Sequence, residues 1–269
     1  MEIIIPVVIT VVSGLLLGLL LAVLGHIFAV PKDETIEKLT EALPGANCGG
    51  CGYAGCEDYA KAIKNGEAAL SLCSAGGEEV YKEICSVMGA TSDEKITPKK
   101  AFVFCGGCID YTEDKMKYRG INTCKAANMY FQGKGKCDFG CLGIGDCAAA
   151  CPFGAISIKD DLAVIDRTVC TGCGACVSAC PNFLISLIPA DQTVAVRCKN
   201  VEKGVLTRKA CTHGCIGCRK CEKTCPVGAV TVENGFLAKI DYDKCISCGA
   251  CASACPTGAV FPIKEGCKN

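Results

Sequence analysis

Three stretches in the second half of the sequence repeat one arrangement of cysteines, Cys-x2-Cys-x2-Cys-x3-Cys-Pro. They occupy residues 170–181, 215–226 and 245–256. Thiolates at this spacing are the ligands of [4Fe–4S] clusters, and in two-cluster proteins the fourth cysteine of each run binds the other cluster. The spacing therefore predicts paired iron–sulfur sites that carry single electrons.

This crossing rule assigns the ligands of three clusters. The predicted sets are Cys170, Cys173 and Cys176 with Cys151, then Cys215, Cys218 and Cys221 with Cys255, and finally Cys245, Cys248 and Cys251 with Cys225. The first set takes Cys151 from an irregular run upstream, which leaves Cys180 as the fourth ligand of whatever that irregular run binds.

The irregular run, CDFGCLGIGDCAAACP at residues 137–152, has Ile144 where a cysteine is expected. It is one half of a duplication, because residues 137–158 align without a gap on residues 211–232 at an offset of 74. The same offset pairs Cys124 with Cys198 and Cys137 with Cys211. A repeated unit of this kind predicts two modules of the same fold in tandem.

The extra upstream thiol of the irregular run can replace the missing one. We predict a four-thiolate [4Fe–4S] cluster on Cys137, Cys141, Cys147 and Cys180. Two alternatives remain open at this site. One has Asp146 as an oxygen ligand, and the other has a cluster that lacks one iron.

A different grouping lies nearer the N-terminus, at Cys48, Cys51, Cys56 and Cys73. Three of these thiols lie on a glycine-rich loop that can turn tightly, and a helix predicted after Cys56 brings the fourth back to the loop. Four thiolates suit a further [4Fe–4S] cluster. The alternative is a structural zinc site, but such sites usually pair two knuckles of two cysteines each, so iron–sulfur binding is favoured.

Cysteine makes up 27 of the 269 residues, a density that indicates cluster ligation in a reducing compartment. Five [4Fe–4S] clusters use twenty of them. We expect the others to be buried or surface thiols, and a sixth cluster is the alternative. These others are Cys85, Cys105, Cys108, Cys124, Cys198, Cys211 and Cys267. Lys and Arg together equal Asp and Glu at 28 each, so no nucleic-acid partner is expected.

The N-terminal residues 3–30 contain no Asp, Glu, Lys or Arg. They exceed the roughly 20 apolar residues that a membrane-spanning helix needs. The alternative is a signal peptide, which has a basic start, a shorter apolar core and a cleavage site. We predict a single-pass anchor in the inner (cytoplasmic) membrane, with the C-terminal part in the cytoplasm because Lys32 and Lys38 follow the apolar stretch.

The elements that must position these thiols complete the predicted fold. A short apolar, β-branched stretch follows each Cys-Pro and predicts a strand that packs over a cluster. The fold class is α+β, with one N-terminal transmembrane helix, a small four-cysteine [4Fe–4S] domain and two tandem bacterial-type 2[4Fe–4S] ferredoxin modules. The predicted boundaries are 1–31 for the anchor, 32–90 for the first domain, 91–136 for a linker and lead-in segment, 137–195 for the first module and 196–269 for the second.

Two stretches, NCGGCGYAGC with Cys73 and GKCDFGCLGIGDCAAACPFGAI, resemble the B subunit of the Rnf family of membrane complexes, and the resemblance covers nearly the whole chain. Complexes of this family oxidise reduced ferredoxin, reduce NAD and couple the reaction to sodium or proton export. The resemblance implies that this chain is the cytoplasmic subunit through which electrons enter. It implies soluble ferredoxin as the electron donor, and the other subunits and the lipid bilayer as partners.

No Rossmann glycine fingerprint, P-loop or acid–base pair is found in the sequence, so no catalytic residue is predicted and hydride transfer is assigned to a flavin in a partner. Basic residues concentrate in residues 197–223. They predict a docking surface for an acidic ferredoxin, and an ordinary solvated surface is the alternative. The alternative functions are a membrane-tethered iron–sulfur redox sensor and a zinc-stapled scaffold.

Overall fold

The computed structural model describes residues 4–27, 33–92, 96–234 and 236–263. Cys267, one of the unassigned cysteines, lies outside these ranges. The described chain begins with one helix, continues with a three-helix domain and ends with two modules of short helices and strands.

Helix α1 (Ile4–Ile27) occupies the apolar N-terminal stretch. Its side chains are described at Val7, Ile9 and residues 11–24, and all of these are exposed. Within the part of the chain that the structure describes, no helix is both long and apolar enough to cross a membrane. The predicted transmembrane helix is therefore not confirmed.

Three amphipathic helices build the first domain. They are α2 (Glu34–Ala42), α3 (Cys56–Lys64) and α4 (Gly77–Met88). The Asp33 carboxylate caps α2 by accepting a hydrogen bond from the Thr35 N–H at 3.0 Å. Apolar side chains at helical spacing, including Leu39, Tyr59 and Ile84, meet in one core. The helix predicted after Cys56 is confirmed as α3.

Antiparallel strand pairs form the framework of the two modules, and the described residues contain four of them. The pairs are β1 (Lys99–Val103) with β4 (Ile185–Pro189), β2 (Ile156–Lys159) with β3 (Leu162–Ile165), β5 (Val194–Val196) with β8 (Val260–Pro262), and β6 (Val230–Glu233) with β7 (Leu237–Ile240). The strands predicted after each Cys-Pro are confirmed as β2, β4, β6 and β8.

Short helices of one to two turns accompany these strands. They are α5 (Cys124–Asn128), α6 (Asp146–Ala149), α7 (Ala175–Ala179), α8 (Gly204–Ala210), α9 (Lys220–Thr224) and α10 (Ala250–Ser253). Four of them, α6, α7, α9 and α10, lie inside the cysteine runs. Gly174 and Gly249 precede α7 and α10 with φ of 82° and 78°, a left-handed conformation that favours glycine. The glycines therefore let the chain turn sharply into a helix between two ligands.

Each module has a closing strand, which is β1 in the first module and β5 in the second. An upstream strand, β1 or β5, pairs with the strand that follows the last cysteine run of its module, so that Val103 lies opposite Ile185 and Val196 lies opposite Val260. Strand β1 comes from the segment predicted as a linker, and it belongs to the sheet of the first module. Cys105 and Cys198 each lie two residues beyond these closing strands, at equivalent points of the two modules.

Candidate metal centres

Three predicted ligand sets each line one cavity. The cavity of the first domain is lined by Cys48, Cys51, Cys56 and Cys73. That of the first module is lined by Cys151, Cys170, Cys173 and Cys176. That of the second module is lined by Cys215, Cys218, Cys221 and Cys255. The structure therefore brings the four members of each set together.

The loop of the first site is held by side chains outside the cysteines. The Asn47 side-chain oxygen accepts a hydrogen bond from the Cys56 N–H at 2.8 Å. The Tyr59 hydroxyl donates to the Ala69 carbonyl at 2.8 Å and accepts from the Leu72 N–H at 3.2 Å. These two bonds fix the segment that carries Cys73, so the fourth thiol returns to the loop although it is distant in sequence.

The first domain meets the first module at Gly50. A Cβ atom added to Gly50 would lie 2.2 Å from the carbonyl oxygen of Cys173, which is a ligand candidate of the neighbouring site. Cys173 also lines the cavity of the first domain. Only a residue without a side chain fits this approach, and it places two candidate centres side by side.

The fourth regular set, Cys225, Cys245, Cys248 and Cys251, is also brought together at least in part. Burial is the main cause that raises the pKa of the Cys251 thiol, and negative charge on Cys245 and Cys225 raises this pKa further. Cys248 is exposed. The crossing of Cys225 to the third run therefore agrees with the electrostatic proximity of these sulfurs.

Backbone N–H groups point at several ligand sulfurs. The sulfur of Cys180 accepts from the Leu184 N–H at 3.4 Å, and that of Cys225 accepts from the Ala229 N–H at 3.3 Å. Both donors lie immediately before the strand that follows a Cys-Pro. Such hydrogen bonds stabilise thiolates and tune the potentials of iron–sulfur clusters. The strands thus position donors as well as apolar cover.

The irregular run also contributes to a cavity lined by four cysteines. Its cysteines are Cys124, Cys141, Cys147 and Cys180. Burial is the main cause that raises the pKa of Cys147 to about 12, and charges on Cys141, Cys124 and Cys180 contribute. Among the described residues, Cys124 takes the position that the sequence assigned to Cys137.

Of the predicted set, Cys141, Cys147 and Cys180 line this cavity, whereas Cys137 does not and Cys124 does. Asp146 contacts the segment that carries Cys124. Its two carboxylate oxygens accept hydrogen bonds from the N–H groups of Cys124 and Lys125, at 2.8 and 3.0 Å. Asp146 therefore binds the first turn of α5 and draws Cys124 to the cavity. Asp146 also lines this cavity, so its alternative role as an oxygen ligand stays open.

Sequence reasoning missed Cys124 because it lies outside the run. One signal was present in the alignment of the two copies, where Asp146 corresponds to Lys220. An acidic residue beside a ligand cysteine, where the other copy has a basic residue, indicates a local partner such as a helix N-terminus. The unassigned Cys85 lies buried on α4 in the core of the first domain.

Four sulfurs around a cavity, with backbone N–H donors nearby, are the donor set that a [4Fe–4S] cluster requires. Ligands of a single zinc ion, with Zn–S distances of about 2.3 Å, would have to converge much more closely. Within the described ranges, no group of three or more His, Cys, Asp or Glu side chains is placed to hold a single metal ion.

Three segments match known protein families. Residues 43–75 match the family described as "Putative Fe-S cluster". Residues 163–186 match "4Fe-4S binding domain", and residues 214–259 match "4Fe-4S dicluster domain". Iron–sulfur and [4Fe–4S] domains are thus present in both the first domain and the modules.

Curated relatives extend over most of the chain. The chain is 40% identical over 227 residues to the B subunit of the ion-translocating oxidoreductase complex of Methanosarcina acetivorans, with 83% of this chain and 84% of the relative covered. It is 41% identical over 243 residues to the B subunit of the Na(+)-translocating ferredoxin:NAD(+) oxidoreductase complex of Acetobacterium woodii, covering 90% and 72%. The proton-translocating counterpart of Clostridium ljungdahlii is 41% identical over 236 residues, covering 87% and 82%.

Proposed function

The chain belongs to the family of B subunits of ion-translocating ferredoxin:NAD oxidoreductase (Rnf) complexes, and we propose that it takes electrons from reduced ferredoxin and passes them to flavin- and iron–sulfur-containing subunits. It is an iron–sulfur electron-transfer subunit of such an oxidoreductase. The proposal concerns the donor, the direction of transfer and the partners of this chain.

The observation that carries the proposal is the set of four cavities that are each lined by at least four cysteines, with Gly50 and Cys173 in contact between two of them. When bound there, [4Fe–4S] clusters supply one-electron transfer. The residues of the chain hold the sulfurs, exclude water and donate N–H groups to them. Five clusters, the irregular one included, are part of this proposal.

A membrane anchor at residues 3–30 is the second part of the proposal. This stretch carries no Asp, Glu, Lys or Arg, and apart from Ser13 the described side chains of α1 are exposed apolar groups. Burying such groups in a hydrocarbon core is favourable. With the anchor in the inner (cytoplasmic) membrane, Lys32 and Lys38 place the cluster-bearing part in the cytoplasm.

Ferredoxin docking is proposed at the second module. Within residues 197–223 the exposed basic side chains are Lys203, Arg208, Lys209, Arg219, Lys220 and Lys223. Arg197 is only 9% exposed and does not belong to this surface. The exposed Cys218 precedes Arg219 directly, so a negatively charged donor attracted by these residues arrives beside a ligand sulfur.

The test is stopped-flow reduction of the full chain, with its clusters, by reduced ferredoxin. The double variant Arg219→Glu/Lys220→Glu should slow association roughly tenfold or more at low ionic strength and flatten its salt dependence. The control Lys61→Glu/Lys82→Glu makes the same charge change on exposed side chains of the first domain and should leave both properties unchanged.

Two results would contradict different parts of the proposal. If reduced ferredoxin fails to reduce the wild-type chain at any salt concentration, the proposed donor is wrong. If the wild type is reduced and the salt dependence of the Arg219→Glu/Lys220→Glu variant equals that of the wild type, only the docking surface is wrong.

A further inference from the structure

Three cysteines without an assigned ligand role lie together with Cys137 between the two modules. The four cysteines are Cys105 and Cys137 from the first module and its lead-in, and Cys198 and Cys211 from the second. Cys105, Cys198 and Cys211 are 7%, 9% and 8% exposed, and Cys137 is partly buried. All four are free thiols.

Geometry links Cys137 to the segment of Cys198, because the side-chain N–H of Asn200, two residues beyond Cys198, lies 3.6 Å from the Cys137 sulfur. Burial is the main cause that raises the pKa of Cys105, Cys198 and Cys211, and negative charge on Cys137 raises each of these pKa values further. On the other side of the group, the position of a Cβ on Gly107 lies 3.3 Å from the Cys211 sulfur and 3.7 Å from the Cys105 sulfur. The four sulfurs therefore share one region.

The arrangement is reciprocal between the modules. The Cys105 sulfur accepts from the Cys141 N–H at 3.5 Å, and the Cys198 sulfur accepts from the N–H of Cys215, which is the counterpart of Cys141 at the offset of 74. Cys105 and Cys198 thus make the same kind of hydrogen bond, each to the backbone of a candidate ligand cysteine of its own module. Since Cys105 and Cys198 follow the equivalent strands β1 and β5, they form one matched pair.

The second pair crosses over to the opposite module. The Asn200 side-chain N–H lies 3.6 Å from the Cys137 sulfur, and Gly107 adjoins the Cys211 sulfur. Asn200 lies two residues beyond Cys198, and Gly107 lies two residues beyond Cys105. In each module the segment after the closing strand therefore contacts a cysteine of the other module. These two reciprocal contacts, related by a pseudo-twofold axis, place four thiols from separate parts of the chain in one region.

The surroundings suit a negatively charged metal–thiolate group. Arg197, 9% exposed, lies beside the residue that follows Cys105, since a Cβ on Gly106 would lie 3.4 Å from the Arg197 Cβ, and its guanidinium lies 5.2 Å from the centroid of the Phe261 ring. Burial lowers the pKa of Arg197, and negative charge on Cys105 raises it. A buried cation is costly unless an anion lies nearby. The interface is also fixed, because the Thr212 N–H donates to the Tyr111 carbonyl at 2.9 Å and the Thr112 hydroxyl donates to the Ala210 carbonyl at 2.8 Å.

We propose that Cys105, Cys137, Cys198 and Cys211 bind a sixth [4Fe–4S] cluster at the interface of the two modules. Each sulfur binds iron as a thiolate after its proton has passed to solvent. The site would lie between the centres of the first module and those of the second, and it would connect them.

The test is the iron and acid-labile sulfide content of the anaerobically prepared full chain and of two paired variants. Six clusters correspond to about 24 iron atoms per chain and five to about 20. Cys105→Ala/Cys198→Ala and Cys137→Ala/Cys211→Ala should each lose about four iron atoms. The quadruple variant should lose the same four, because all four residues serve one cluster. Cys85→Ala, at a buried cysteine of α4, is the control and should lose none.

Equal loss from both pairs, without further loss in the quadruple variant, distinguishes a shared cluster from misfolding, since damage at separate points would accumulate. A wild-type chain with about 20 iron atoms, no loss in the Cys105→Ala/Cys198→Ala variant, or zinc in place of iron overturns the sixth site. If ferredoxin still reduces a chain with about 20 iron atoms, the proposed function stands and only this site is wrong.

Discussion

Replacing Gly50 with alanine should separate the first domain from the first module. The added Cβ would lie 2.2 Å from the Cys173 carbonyl oxygen and 3.0 Å from the Cys173 carbonyl carbon. Gly50 does not have a positive φ, so alanine fits the local backbone and the effect is limited to this contact. Both atoms in collision belong to a ligand-bearing loop, and the two domains must move apart.

The size of the effect follows from the cost of overpacking, about 1–3 kcal/mol. At about 1.4 kcal/mol per factor of ten, the docked arrangement is weakened roughly 5- to 150-fold. Amide hydrogen exchange on the full chain with its clusters measures this opening. Peptides covering residues 46–56 and 170–176 should lose protection by that factor, while the peptides that cover β6 and β7 keep theirs.

The matched control is Gly135→Ala, because the nearest atom to an added Cβ there is the Cys137 carbonyl oxygen at 3.8 Å, an ordinary contact. This variant should keep wild-type protection in both peptides. If Gly50→Ala and Gly135→Ala exchange at the same rate, the close approach of Gly50 to Cys173 does not hold in solution, and the side-by-side placement of the two centres fails with it.

Two further predictions concern single side chains. Cys124→Ala should lower the iron content as much as Cys180→Ala does, and combining the two should remove no more than about four iron atoms; a larger combined loss would assign Cys124 to another site. Tyr59→Phe leaves the Ala69 carbonyl and the Leu72 N–H without the hydroxyl that joins them, which should cost about 1–3 kcal/mol. Calorimetry should show a lower melting temperature for the first domain alone, and an unchanged transition would show that this hydroxyl does not hold Cys73.

The sequence was most informative where the ligands lie close together in the chain. The spacing of Cys215, Cys218 and Cys221 constrains three sulfurs through a few rotatable bonds, so the local pattern almost determines the site. The apolar stretches after each Cys-Pro also predicted strands from local sequence, because each strand begins a few residues after the turn at the proline. The crossing of Cys255 is less local, and the regular repeat of the runs supplied it.

The ligand at the irregular site could not be read from spacing. Cys124 precedes Cys141 by a full segment of chain, and it reaches the cavity because Asp146 caps the helix that carries it. That hydrogen-bond pair exists only after both segments have folded onto one another. The partner of β4 was similarly out of reach, because antiparallel pairing of β1 across the first module depends on tertiary packing rather than on local propensity.

The packing of the two modules brings together cysteines that have no local role. Each module carries one cysteine two residues beyond its closing strand, Cys105 or Cys198, and another at the start of its first run, Cys137 or Cys211. The duplication accounts for the second pair only, because the offset of 74 pairs Cys198 with Cys124. The two modules pack with a pseudo-twofold relation, so the contact between the Cys137 sulfur and Asn200 has an equivalent in the contact between the Cys211 sulfur and Gly107. Each module then supplies two of the four thiols of the proposed site at the interface. A site of this origin depends on the packing of the modules, so loosening that interface should disturb it before it disturbs the sites inside either copy.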